Sequence, residues 1–196
     1  MKHIAALTLI AGSLAACAKP IPSTFTAADV ITAQNTFNTL AALPATAPAL
    51  IPTAGSATYA GLIGGDFTGP DIGGSFLGDL SLDVNFASSG ITGEASNLNV
   101  IDNLGVPNQT LGGTLAVDGT VVSNFITATA DGSLSGVSAI EGTNFNVTGN
   151  VDVSLVLGGT IRTETVAADT ITGGVTGTGT GDFAFGITNG DFAVQR

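Results

Sequence analysis

The chain has no tryptophan, one tyrosine, one histidine, one methionine, one cysteine and only four basic residues among 196. A single cysteine forbids a disulfide within the chain. Four cations against 15 carboxylates give a formal charge of −11, a surface that repels phosphate. Nucleic-acid binding and electrostatic docking on anionic lipid are therefore not expected. The near absence of tyrosine and tryptophan leaves nothing to build the aromatic girdles of a membrane-spanning barrel. The acidity keeps a Gly-, Ala-, Thr- and Val-rich surface from self-association, and a monomer is expected.

At the start of the chain, Lys2 and His3 precede an apolar stretch of 13 residues, Ile4 to Ala16. That is too short for the ~20 residues a spanning helix needs. The stretch ends in Leu14-Ala15-Ala16-Cys17, which resembles a bacterial lipobox, so residues 1–16 read as a lipoprotein signal peptide. An ordinary secretory signal with a chance cysteine is the alternative. The resemblance implies cleavage before Cys17, diacylation of its sulfur with palmitate-type chains, and acylation of the new amino group. Two or three such chains hold a protein on a membrane almost permanently. Ala18, in place of an aspartate, resembles lipoproteins sent on to the outer membrane.

Cleavage leaves 180 residues, in which Lys19, Arg162 and Arg196 face the 15 carboxylates for a balance of −12. The histidine and the methionine leave with the signal, and Cys17 is consumed by lipid. Ser/His/Asp and Cys/His catalysis then lack their base. Zinc and copper lack their usual donors, and haem could be held by Tyr59 alone. No cofactor, no metal and no enzymatic activity are expected.

Composition divides the rest into three zones. Residues 17–25, with Pro20 and Pro22, read as a mobile, extended, lipidated tether. Residues 26–55 read as one short helix and a Pro-rich linker. Thr26 and Asp29 have capping-box spacing, Val30, Ile31, Phe37, Leu40 and Ala41 recur at helical intervals, and Pro44 stops the helix after Leu43. So narrow an apolar face either packs on the next domain or frays in solution.

From residue 56 to 196 the period is two. Phe76, Gly78, Leu80, Leu82, Val84 and Phe86 alternate with Asp79, Ser81, Asp83 and Asn85. Phe145, Val147, Gly149, Val151, Val153, Leu155 and Leu157 do the same against Asn146, Thr148, Asn150, Asp152 and Ser154. Turns are expected at Ser88-Ser89-Gly90, Asp118-Gly119, Asp131-Gly132 and Glu141-Gly142. The Thr172–Gly181 run of glycines and threonines reads as a flexible strand connection. Connections this short forbid crossover helices. The fold class expected is all-β, an up-and-down antiparallel barrel of about eight strands with an apolar interior, a two-sheet sandwich being the alternative. Asp79, Asp83 and Asp152 in mid-strand would be costly against lipid, which favours a soluble barrel.

Ile51-Pro52-Thr53-Ala54-Gly55-Ser56-Ala57-Thr58-Tyr59-Ala60-Gly61 resembles the opening of a transferrin-binding-protein-like barrel domain. The likeness continues in Gly78–Phe86 and Gly90-Ile91-Thr92-Gly93. It is looser in Gly181-Asp182-Phe183-Ala184-Phe185-Gly186 and Gly190-Asp191-Phe192. The resemblance spans Ile51 to Arg196 and implies an eight-stranded barrel on a lipid tether at the outer membrane of a Gram-negative bacterium, often facing the medium. It does not imply transferrin binding, because the chain has room for one barrel only and no long recognition loops. Gly64-Gly65-Asp66 through Gly73-Gly74 lacks the nine-residue period of calcium-binding repeats. Asp71, Asp79, Asp83, Asp131, Asp152 and Glu164 fall on exposed faces or turns without an evident cleft. The function expected is a surface lipoprotein binding a protein or small solute. A structural or protective envelope lipoprotein without a specific ligand is the alternative.

Overall fold

A computed structural model describes residues 21–69, 73–139 and 146–196. The signal, Cys17, Asp71, the Glu141-Gly142 turn and Phe145 lie outside the described residues.

The period-two segments form strands β2 (Ser56–Thr68), β3 (Ser75–Asn85), β4 (Gly90–Ile101), β6 (Leu115–Val122), β7 (Phe125–Ala139), β8 (Asn146–Arg162), β9 (Thr170–Gly181) and β10 (Phe185–Gln195). Each pairs antiparallel with its chain neighbour, and two further pairings close the ring: β10 on β2, and β6 on the first half of β4. The result is a closed eight-stranded antiparallel barrel. The second half of β4 instead pairs with the short strand β5 (Pro107–Thr110), and β5 with β1 (Ile21–Pro22).

Alternation decides what faces inward. Phe76, Leu80, Leu82 and Val84 of β3, with Phe86 just after it, are buried while Asp79, Asp83 and Asn85 are exposed, and Val151, Val153, Leu155 and Leu157 repeat the pattern on β8. Their partners inside are Tyr59, Ile63, Ile91, Leu115, Ile126, Ile171 and Val194, all within one continuous core. Each such side chain taken from water contributes about 1.5–3 kcal/mol. One end of the barrel is closed by Phe67, Phe76, Phe183 and Phe185, whose rings lie 4.9–5.9 Å apart in sequence around the cluster. An apolar interior and a polar outer wall are the reverse of a membrane-spanning barrel.

Two expected turns are strand interiors instead. Asp118-Gly119 lies within β6 and Asp131-Gly132 within β7, because alternation runs unbroken through both: the aspartates point out, and the glycines take inward positions beside Ala128 and Leu115. The β6–β7 reversal falls at Ser123-Asn124, with Ser123 at φ 61°. The β3–β4 turn is where expected, with Asn85 Oδ1 accepting from the N–H groups of Ala87 and Ser88 at 3.0 and 3.1 Å. Thr172–Gly181 is likewise no flexible connection but most of β9. Its Gly173 faces inward, where a Cβ would meet the Gly158 carbonyl, Gly159 Cα and the Phe192 ring. Glycine there makes room for a large neighbour.

The helix α1 (Ala27–Ala41) carries the expected capping box. Asp29 N–H donates to Thr26 Oγ1 and Thr26 N–H to Asp29 Oδ2, at 3.3 and 2.7 Å. It packs on the outside of the barrel, setting Val30, Ala33 and Phe37 over Leu62, Leu77 and Ile101, three side chains that point outward from the wall. Ile31, expected on that face, is 62% exposed. The linker that follows, with a 3₁₀ turn at Pro48–Leu50, is pinned by Arg162, which donates to Leu43 O and Thr172 Oγ1.

The spacer was expected to be mobile throughout, but from Ile21 onward it is docked. Ile21 and Pro22 pair with Thr110 and Gln109, and Ser23 Oγ and Thr24 N–H donate to the buried Asn99 Oδ1 at 2.7 and 2.9 Å.

Candidate functional site: an acidic cleft between helix and barrel

Tyr59 is fully buried inside the barrel, and its hydroxyl donates to Ala168 O at 2.6 Å. Burial pushes that hydroxyl's pKa up, so it stays protonated and serves as a core anchor with no free face for a ligand. Asp79 and Asp83 project outward into solvent from β3. Asp131 and Asp152, exposed neighbours on β7 and β8, line one shallow hollow of the outer wall with Ser133, Ser154 and Thr178 but no apolar floor of their own beyond Val153. Among the described residues no three His, Cys, Asp or Glu side chains are grouped to hold a metal.

Asp169 has a different task. It is 8% exposed in the β8–β9 loop, where its carboxylate accepts from the N–H groups of Glu164, Thr165 and Val166 at 2.8, 2.8 and 2.7 Å. Burial opposes its charge, yet these donors, Val166 foremost, hold its pKa well below the ordinary carboxylate range. A depressed folded value stabilises the fold above the unfolded aspartate value of ~3.9, and that stabilisation is lost as pH falls through the folded value. Asp169→Asn, which keeps one carboxamide oxygen for these donors, is expected to cost about 1.5–3 kcal/mol at pH 7. It should also flatten the loss of stability between about pH 4 and pH 2. Urea unfolding of both proteins across that range measures it.

What the sequence did not show is a cleft of about 190 Å³ where α1 crosses β2, β3 and β10. Its floor is Phe37, Phe76 and Leu77, and its rim carries Asp66, Asp191, Asn189, Gln34, Asn38 and Ser75. An irregularity in β10 between Thr188 and Asp191, with Asn189 at φ 48°, brings Asn189 and Asp191 to the same rim as Asp66. Asn189 Nδ2 donates to Asp66 Oδ2 at 3.2 Å. Desolvation raises the pKa of Asp191, and the described cations Arg162 and Arg196 sit at the opposite end of the barrel, on the Leu43 and Ala167 carbonyls. Two carboxylates, three carboxamides and a hydroxyl over an apolar floor can recognise a small positively charged group. They supply no nucleophile–base pair for catalysis.

No family model and no curated protein matches the chain. Among solved structures, the chain is similar to a mutant of transferrin binding protein B, a vaccine antigen of Haemophilus parasuis Hp5. The likeness has 16% identity and a TM-score of 0.49, covering 77% of this chain and 28% of that one. So loose a likeness leaves the architecture and the site to stand on the geometry above.

Proposed function

We propose that this chain is an outer-membrane lipoprotein, anchored through Cys17, that presents its barrel to the medium as a binding module. What carries this reading is the pairing of a lipobox with a barrel whose outer wall is polar and whose interior is filled by its own side chains. Recognition then falls to the outside of the barrel, and the cleft under α1 takes a cationic group, such as a lysine or arginine side chain of a protein or a small amine. Its volume lies below the ~300–1,000 Å³ of pockets for larger ligands. The net charge favours such a ligand and disfavours nucleic acid. The protein acts as a monomer and not as an enzyme, since the mature chain keeps no imidazole or free thiol. A purely structural coat protein is the second reading, favoured by the same filled interior.

Titration of the barrel with arginine amide, followed by the NMR shifts of the Gly64, Gly65 and Gly190 amides, distinguishes the two readings. Saturable shifts confined to the cleft, weakened at least ~10-fold in an Asp66→Asn/Asp191→Asn variant, support binding there. Shifts that are absent, or unchanged in the variant, leave the structural reading.

A further inference from the structure

Resting on the lipid-anchor reading, we infer that the barrel lies against the membrane rather than floating above it, with the β4–β5 turn as its lipid-facing contact. Cys17 and Ile21 are four residues apart. At ~3.3–3.6 Å per extended residue, the docked Ile21 sits no more than ~14 Å from the acylated residue, whatever the intervening conformation. Ile21 is held on the barrel by its pairing with Thr110, and Ser23 and Thr24 clamp the next two positions to Asn99. The tether therefore has almost no free length.

The edge it holds near the lipid displays apolar side chains, among them the most exposed large hydrophobic of the described residues. Leu104 is 88% exposed, Val106 48% and Ile21 45%. Thr110, the partner of Ile21, follows Val106 by four residues along the same ribbon, ~13 Å in a strand. The turn is fixed: Asp102 Oδ1 accepts from the N–H groups of Leu104 and Val106 at 2.8 and 2.9 Å. Gly105 takes φ 79° and donates to Asp102 O at 3.0 Å. A rigid turn that displays a leucine and a valine beside a short lipid anchor fits the interface of a bilayer, where apolar side chains settle at the headgroup boundary.

The test uses the full lipidated chain in phosphatidylethanolamine–phosphatidylglycerol vesicles that carry a headgroup nitroxide. One fluorophore is placed at Leu104→Cys or, four strands round the barrel on β9, at Thr178→Cys. Vesicle flotation is measured first. Protein that does not float overturns the anchor reading and this inference with it. If it floats, quenching at position 104 should exceed that at 178 several-fold. Equal quenching overturns the apposition alone and leaves the anchor standing. Inserting about 20 Gly/Ser residues between Lys19 and Pro20, a mean span of ~25 Å, should lower the 104 signal to that of 178 while flotation persists. A 104 signal unchanged by the insertion contradicts the role given to the tether.

Discussion

Val84→Asp is expected to unfold the barrel at temperatures the parent chain tolerates, while Asp83→Asn, one residue away, leaves the melting temperature nearly unchanged. Val84 is fully buried on the inward face near the β3–β4 end of the barrel, paired with Ala57 on β2 and Ile91 on β4. A carboxylate there has no cation to meet, since the described basic side chains are already engaged at the barrel's end. It must either lose water uncompensated or take up a proton, and the cost is about 3–5 kcal/mol. For a domain of this size that is a fall of roughly 10 °C or more. Asp83 is exposed and accepts from Thr58 Oγ1, a bond that asparagine keeps, so its change should lie within about 0.5 kcal/mol. Thermal melts of both variants measure the difference, and the reverse ranking would mean that the inward and outward faces are exchanged.

The second large effect concerns location. On the proposed reading, Cys17→Ala removes every acyl chain at once. One chain alone gives a membrane association of only ~10⁴ M⁻¹, whereas two or three hold the protein almost permanently. Since the outer wall of the barrel is polar and no described helix is long and apolar enough to cross a membrane, the Leu104 turn cannot replace the anchor. The variant should leave the membrane pellet for the soluble fraction on ultracentrifugation. Retention in the pellet would assign attachment to something other than Cys17.

The elements most easily read from the sequence were those in which local chemistry and burial agree. The Phe76–Phe86 alternation became β3 with the expected face inward, and the Thr26/Asp29 spacing became a capped helix. Asp118-Gly119, Asp131-Gly132 and the Gly/Thr run of β9 misled because their local preference for turns is outweighed by strand pairing on both sides. Glycine serves there to admit Leu115, Ala128 and Phe192, a requirement set by residues distant in sequence. The cleft was hidden for a related reason. Asp66 and Asp191 meet only through the β2–β10 pairing that closes the ring, and their rim depends on an irregularity in β10 and a helix laid across it. The docking of Ile21–Thr24 was equally invisible, because the prolines around it signal an extended chain and do not say what it lies upon.

Protease shaving of intact cells beside permeabilised cells, with an epitope tag placed after Arg196, bears most directly on the central claim of a lipid-anchored barrel displayed to the medium. Loss of the tag from intact cells is the expected result. A tag that survives on intact cells and is lost only after permeabilisation would contradict surface display and place the barrel inside the envelope.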